Sequence, residues 1–193
     1  MQKVKANLDG RKSGIWYTEV MRILFLGAPG TGKSTQGRIL AEKMGWKWLS
    51  SGEMLRELED LALAERLKNG ELVDDREVAS LVIPEIRKER DLILDGFPRT
   101  EVQVRIMAEA GVLPEWVVEI AVDTEELVRR MLARGRAEDN VETIRRRLEI
   151  YQKTRAEVVA ALEESGVRVQ KIDGQGDIET IAERIESALG EAI

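Results

Sequence analysis

Apolar residues along the chain follow two different spacings. Short apolar runs at 21–26, 46–49, 91–95, 116–122 and 167–172 are typical of strands buried in a parallel sheet. Between them, apolar residues recur at helical spacing, which predicts helices at 36–44, 57–69, 101–110, 141–164 and 178–189, with others before 88 and after 123. Because strands and helices alternate, the pattern predicts an α/β fold with a five-stranded parallel sheet covered on both faces.

Single residues predict finer features of these elements. Pro84 should kink or interrupt the helix ending near Lys88, since proline lacks an amide hydrogen. A serine-led helix start is expected at 50–56, a helix end at 69–70, and a cap at Asp123 or Thr124. Two apolar helix faces are predicted to be buried, one made of Leu127, Met131 and Leu132, and one of Ile178, Ile181, Ile185 and Leu189.

The segment 27–35, GAPGTGKST, fits the phosphate-binding pattern G-x-x-x-x-G-K-[ST] without a mismatch. It lies between the first predicted strand and the first predicted helix, which is the context that the motif requires. Backbone N–H groups and the positive end of the helix would face phosphate oxygens, Lys33 would reach the β- and γ-phosphates, and the Ser34 hydroxyl would bind Mg²⁺. The alternative is a glycine-rich turn with a solvated lysine. Together with the predicted α/β pattern, the motif indicates the three-layer fold of P-loop NTPases.

Composition excludes several classes of function. The chain has 193 residues, a net charge of −6 and neither cysteine nor histidine. It therefore offers no thiolate zinc site and no imidazole base, and its acidity disfavours nucleic-acid and membrane partners. No segment is apolar enough for a signal peptide or a membrane span, so a cytoplasmic protein is expected. We expect an N-terminal extension over 1–20 and one domain over 21–193.

Arginines near the predicted strand ends suggest a second anion beside the triphosphate: Arg56, Arg99, Arg130, Arg134, Arg136 and Arg147. Guanidinium groups match phosphate geometry and stay charged, and a phosphate acceptor would need no general base. An acid at the end of an apolar strand, Asp95, is placed to serve Mg²⁺. The alternative for Arg145, Arg146, Arg147 and Arg155 is a solvated, salt-bridged helix face.

Five segments together resemble the adenylate kinase family of nucleoside monophosphate kinases: 27–35 (GAPGTGKST), 50–56 (SSGEMLR), 94–103 (LDGFPRTEVQ), 133–140 (ARGRAEDN) and 145–154 (RRRLEIYQKT). The resemblance implies the reaction ATP + AMP ⇌ 2 ADP, with Mg²⁺ on the triphosphate. It also implies an acceptor-binding insert at about 51–80 and a short lid at about 133–140. Many relatives carry a longer lid with zinc, and this chain has no Cys or His to bind it.

The same resemblance implies roles for individual residues. ATP would be bound by Gly30, Thr31, Gly32, Lys33, Ser34, Thr35, Arg130 and Arg134. AMP would be bound by Ser51, Arg56, Val73, Gly96, Arg99, Gln103, Arg136 and Arg147. The catalytic set would be Lys33, Arg99, Arg134, Arg136 and Arg147, with Asp139 pairing with the last three. Ser34 would bind Mg²⁺ directly and Asp95 through water.

Base preference is the least constrained expectation. Relatives that prefer UMP or CMP usually carry alanine and asparagine at the positions of Ser51 and Gln103, so this chain is expected to prefer AMP. Alternatives are a UMP/CMP or broad-specificity kinase, a small-metabolite kinase, and a regulatory module that binds ATP without turnover. The expected partners are ATP, AMP and ADP, bound by a monomer.

Overall fold

The computed structural model describes residues 20–57, 74–135 and 139–190. Its strands form one parallel sheet, and they are β1 (Arg22–Leu26), β2 (Lys47–Ser50), β3 (Leu92–Asp95), β4 (Trp116–Ala121) and β5 (Arg168–Asp173). Their spatial order is β2-β3-β1-β4-β5. The predicted five-stranded parallel sheet is therefore confirmed, and every strand delivers its carboxyl end to the same edge.

Helices cover both faces of this sheet. They are α1 (Lys33–Met44), α2 (Ser51–Glu57), α3 (Asp75–Lys88), α4 (Glu101–Glu109), α5 (Thr124–Arg134), α6 (Val141–Glu164) and α7 (Ile178–Gly190). Side chains of α1 and α7 pack on one face of the sheet, and those of α3, α4 and α6 pack on the other. Successive strand residues point to opposite faces, so Leu24 joins one core and Ile23 and Phe25 join the other.

A smaller apolar cluster packs α5 against α6 at the carboxyl edge of the sheet, next to the phosphate loop. It consists of Ala28, Leu127, Met131, Ile144 and Leu148, all buried. These contacts hold the first half of α6 over the carboxyl edge. The sheet, α5 and α6 thereby enclose a space beside the loop.

Some finer predictions were wrong. Leu132 is 43% exposed and Ile178 is 49% exposed, because each lies at the margin of an apolar stripe whose centre is buried. The predicted interruption at Pro84 is also wrong, because the helix continues through it, whereas the predicted kink stays a prediction. Pro84 is exposed while Val82, Ile83 and Ile86 beside it are buried, so the missing hydrogen bond falls on the solvent side.

Other predictions were right in kind but differ in detail, or fall on residues that are not described. The first helix begins at Lys33 rather than 36. Asp123 holds the N-cap position of α5 without a side-chain bond to that helix, and its carboxylate instead accepts a hydrogen bond from Gln175 at 2.7 Å. The predicted extension (1–20), the helix at 57–69 and its end at 69–70 fall almost entirely outside the described residues. Within the described ranges, no helix has both the length and the apolar composition that a membrane crossing requires.

Gly37 lies where α1 packs directly against Trp48 of β2. A Cβ atom there would lie 2.2 Å from Cζ3 of Trp48. We expect Gly37→Ala to destabilise the protein by about 1–3 kcal/mol, because overpacking outweighs the better helix propensity of alanine. Denaturant unfolding measures this change. Gly190→Ala is the matched control, since a Cβ atom at that helical glycine meets no atom within 4 Å. Equal stabilities of the two variants would contradict the expected clash.

Candidate active site

A cavity of about 650 Å³ opens at the carboxyl edge of the sheet, between the phosphate loop and α6. Two segments that are distant in sequence, the loop after β1 and the loop after β3, form one wall, and α5 and α6 form the other. Its charged lining includes Lys33, Asp95, Arg99, Arg130, Arg134, Arg147 and Arg155. Cations outnumber carboxylates in this group, so the cavity suits an anionic ligand.

The phosphate loop has the backbone conformation that its glycines allow. Gly30 and Gly32 have φ angles of +90° and +86°, a region that other residues rarely adopt. A Cβ atom at Gly30 would also lie 2.8 Å from Cγ of Met131 on α5. Thr31 is buried, and its hydroxyl donates to the carbonyl of Ala28 at 3.0 Å. Thr31 thus braces the loop from within instead of facing the cavity.

Ser34 and Asp95 meet at the floor of the cavity. Parallel register sets Asp95 beside Phe25 of β1 and Ser50 of β2, at the end of its strand. The Ser34 hydroxyl, in the first turn of α1, donates to Asp95 Oδ2 at 2.6 Å. Asp95 is buried, and its Oδ1 has no hydrogen-bond partner. A buried carboxylate oxygen without a partner is costly, so this oxygen is a candidate position for a cation or its water shell.

Lys33 lies at the centre of the positive charge. Its Nζ donates to the carbonyl of Ala28 at 3.4 Å. Burial lowers the pKa of Lys33, Asp95 opposes that shift, and the charges of nearby arginines lower the pKa further, namely those of Arg99, Arg147 and Arg134. Like charges held this close raise the energy of the empty cavity. A phosphate placed among them would relieve the repulsion.

Arg134 and Arg147 are joined by one carboxylate. Asp139 accepts from Arg134 Nη2 at 2.7 Å through Oδ2 and from Arg147 Nη1 at 3.2 Å through Oδ1. The side chain of Asp139 is fully buried between them. The predicted pairing of Asp139 is therefore present for Arg134 and Arg147. The contact aligns one guanidinium from α5 and one from α6 on the same wall.

Arg130 lies at the side of the cavity, one helical turn before Arg134. Its Nε donates to Glu126 Oε1 at 2.6 Å, and its Nη2 donates to the carbonyl of Gly174 at 3.1 Å. Hydrogen bonds from Arg129 and Arg130 lower the pKa of Glu126 to about 2. Beside Gly174 lies a second hollow of about 470 Å³, whose wall includes Asp123 and Gln175. Arg130 therefore separates the central cavity from a neighbouring recess at the ends of β4 and β5.

The loop after β3 folds back on itself around Gly96. Gly96 has a φ angle of +83°, and the Phe97–Pro98 peptide is cis. Arg99 Nε donates to the Gly96 carbonyl at 2.6 Å. A Cβ atom at Gly96 would lie 2.7 Å from Ser51 Oγ and 2.9 Å from Arg99 Nη2. Glycine is thus required for both the conformation and the close approach of Arg99.

Gln103 lies behind Arg99, buried in the first turn of α4. Its Oε1 accepts from the backbone N–H of Arg99 at 2.7 Å, and its Nε2 donates to Asp75 Oδ1 at 2.8 Å. Thr100 caps α4 by accepting from Gln103 N at 3.1 Å, and its hydroxyl donates to Asp75 Oδ2 at 2.9 Å. These bonds tie the first residue of α3 to the loop that carries Arg99.

Three residues on the cavity side of α6 and β4 were not predicted as site residues from the sequence, namely Glu119, Tyr151 and Arg155. Arg155 Nη2 donates to Glu119 Oε2 at 2.6 Å, and Arg155 Nε donates to Oε1 of the same buried carboxylate. Tyr151 lines the cavity beside Arg155, and burial, together with the charge of Glu119, raises its pKa. The four-residue spacing of Arg147, Tyr151 and Arg155 marks one helix face and was the available signal. The alternative of a solvated arginine face therefore does not describe Arg147 and Arg155, which are ion-paired and line the cavity, whereas Arg145 and Arg146 are exposed.

The predicted site residues, including those described above, fall into three groups. Most of them line the cavity: Gly30, Gly32, Lys33, Ser34, Thr35, Asp95, Gly96, Arg99, Arg130, Arg134 and Arg147. Those buried behind its surface are Thr31, Ser51 and Gln103. Those outside the described part of the chain are Val73, Arg136 and the side chain of Arg56.

Comparisons with known proteins found similar sequences over most of the chain. The sequence model of the adenylate kinase family matches residues 25–167. An adenylate kinase of Thermus thermophilus is 40% identical over 182 residues, covering 87% of this chain and 96% of the relative. An adenylate kinase of Prochlorococcus marinus is 38% identical over 183 residues, covering 88% and 97%. Adenylate kinase 1 of a Synechocystis species is 39% identical over 178 residues, covering 85% and 94%.

Proposed function

The chain belongs to the adenylate kinase family, and we propose that it performs the family's phosphoryl transfer, ATP + AMP ⇌ 2 ADP, in the cavity between the phosphate loop and α6. One observation carries the proposal. Lys33 of the phosphate loop and Arg99 of the neighbouring loop share a single space with Arg134 and Arg147 of the opposite wall. A site for one triphosphate does not need cations on the opposite wall, whereas two polyanions that meet there do.

ATP is assigned to the side of the phosphate loop. The loop amides and the N-terminus of α1 would bind the β- and γ-phosphates together with Lys33, and Thr35 lies in the same wall. Arg130, between the cavity and the recess beside Gly174, would lie against the adenine of ATP. Arg134 would contact the phosphates from α5. Thr31 would act by holding the loop in shape.

AMP is assigned to the part of the cavity beside the loop after β3. Arg99 would bind its phosphate, held in place by the carbonyl of Gly96. Ser51 and Gln103 lie directly behind this loop. Ser51 would shape the acceptor pocket, and Gln103 would hydrogen-bond the acceptor adenine, as the family resemblance implies. The remaining acceptor residues are proposed from the family resemblance alone: Arg56, Val73 and Arg136.

The arrangement accounts for catalysis without an acid–base residue. A phosphate oxygen of AMP is already an anionic nucleophile, so it can attack the γ-phosphorus in line, with ADP leaving on the opposite side. Lys33, Arg134 and Arg147 would stabilise the charge that spreads over the transferring group. Closure of the acceptor segment (about 51–80) and the short lid (about 133–140) would exclude water and prevent ATP hydrolysis.

The residues present fit a magnesium ion. The Ser34 hydroxyl and the unpartnered Oδ1 of buried Asp95 are hard oxygen donors at one edge of the cavity. Ser34 would contact Mg²⁺ directly, after its hydroxyl leaves Asp95, and Asp95 would hold it through water. The ion would neutralise charge on the β- and γ-phosphates.

We further propose that the enzyme works as a monomer, since both substrate sites are assigned to one chain.

An acceptor panel tests the proposal. ATP·Mg²⁺ is offered with AMP, dAMP, UMP, CMP, GMP or no acceptor, and ADP formation is followed. We expect a strong preference for AMP and almost no ADP without an acceptor, because Ser51 and Gln103 favour adenine and closure excludes water. Comparable rates with UMP or CMP would indicate a broad monophosphate kinase. ATP binding without transfer to any acceptor would indicate a regulatory module and contradict the proposal.

A further inference from the structure

A closed set of hydrogen bonds surrounds the side-chain amide of Gln103. Its two ends have different partners, a backbone N–H of Arg99 at Oε1 and the Asp75 carboxylate at Nε2. The other oxygen of that carboxylate is held by the Thr100 hydroxyl at 2.9 Å. Thr100 also accepts from the backbone N–H of Gln103 at 3.1 Å, so every member is held by at least one other.

This arrangement permits only one orientation of the amide. If the amide turned over, Nε2 would face the N–H of Arg99 and Oε1 would face the Asp75 carboxylate. Two donors would then oppose each other, and so would two acceptors. Hydrogen bonds to a charged group are stronger than those between neutral groups, so the Asp75 end contributes more to the preference.

We infer that Asp75 is a positioning residue that sets purine choice by fixing the direction of the Gln103 amide. The inference rests on the proposed function, in which Gln103 meets the acceptor base. In the fixed orientation, Nε2 keeps one more hydrogen and Oε1 keeps one more lone pair. That donor–acceptor pair matches adenine, whose N1 accepts and whose 6-amino group donates.

Inosine monophosphate (IMP) is the sharpest probe, because it has nearly the shape of AMP with the reverse pattern. Its N1 carries a hydrogen and its O6 accepts, so it would match Gln103 only after the amide had turned over. Asp75 makes that turn unfavourable. The wild-type enzyme is therefore expected to discriminate against IMP, with the loss appearing in kcat/KM for the acceptor and not in KM for ATP.

Asp75→Asn removes the part of the directional constraint that comes from the carboxylate, while keeping the size of the side chain and the bond from the backbone N–H of Arg99. An asparagine amide can accept from Nε2 or donate to Oε1, so it accommodates both orientations of Gln103. We expect the ratio of kcat/KM for AMP to that for IMP to fall about tenfold. Asp75→Ser, whose hydroxyl also donates or accepts, serves as a second variant, and thermal unfolding shows that each variant is folded.

Asp74→Asn is the matched control. Asp74 caps the same helix by accepting from the backbone N–H groups of Arg76 and Glu77, at 2.8 and 3.3 Å, and has no bond to Gln103. It undergoes the same charge change one residue away, so a general effect on α3 would appear in both variants. The AMP-to-IMP ratio of Asp74→Asn should equal that of the wild type.

The outcomes separate the inference from the function. A fall in the ratio with Asp75→Asn alone supports the inference. An unchanged ratio in an enzyme that still phosphorylates AMP overturns the inference and leaves the proposed function intact, as does an equal fall in both variants. A wild-type enzyme that phosphorylates neither AMP nor IMP overturns both.

Discussion

Lys33→Met is expected to lower kcat/KM for ATP and AMP by about three orders of magnitude, or ~4 kcal/mol of transition-state stabilisation. Lys33 follows the loop glycines at the start of α1, and its Nζ lies among Arg99, Arg134 and Arg147. Its charge is therefore placed where the γ-phosphate would pass between donor and acceptor. Methionine keeps the length and apolar stem of lysine, so the loss is that of a positive charge in a desolvated site.

A coupled ADP assay and thermal unfolding together distinguish this loss from misfolding. Lys43→Met is the control, on the same helix, with its Nζ 2.7 Å from Glu186 and outside the cavity. That ion pair is partly exposed, so its removal should cost less than about 1 kcal/mol of stability and leave kcat/KM within about twofold. If Lys33→Met also stayed within tenfold of the wild type, the phosphate loop would not be the site of transfer.

The sequence predicted those parts of the site that depend on local structure. The positive φ angles of Gly30 and Gly32 follow from the glycines themselves, and the strand–loop–helix order follows from the apolar runs around them. The position of Asp95 at a strand end was likewise predictable. Its contact with Ser34 was not, because the 2.6 Å distance depends on the register of β3 against β1.

Features of the site that depend on contacts between helices could not be predicted from the sequence. The charge pattern of α6 is equally consistent with a solvated face and with a cavity wall. Only the packing of Ile144 and Leu148 against α5 turns Arg147 inward and leaves Arg146 exposed. The contact of Asp75 with Gln103 was not predictable, since nothing in the neighbours of Asp75 indicates a partner 28 positions away in the chain.

Arg147 and Arg146 are a matched pair for mutation, because they are neighbours on α6 and only Arg147 faces the cavity. Arg147→Ala is expected to lower kcat by about 10²–10³, because it removes a guanidinium from the wall facing Lys33. Arg146→Ala, one residue earlier and exposed, should leave kcat within about twofold. Thermal unfolding separates a loss of activity from a loss of stability, since Arg147→Ala also removes a partner of the buried Asp139 carboxylate and Arg146→Ala removes no such contact.

Asp139 makes the effect of Arg147 depend on Arg134. Its carboxylate accepts from both guanidinium groups, so removing either arginine lets Asp139 turn fully to the other. The double variant Arg134→Ala/Arg147→Ala should therefore lose less activity than the product of the two single losses, as expected for residues that act as a unit. Simple additivity would show that the two arginines act separately. A normal rate for Arg147→Ala would remove α6 from the phosphate site.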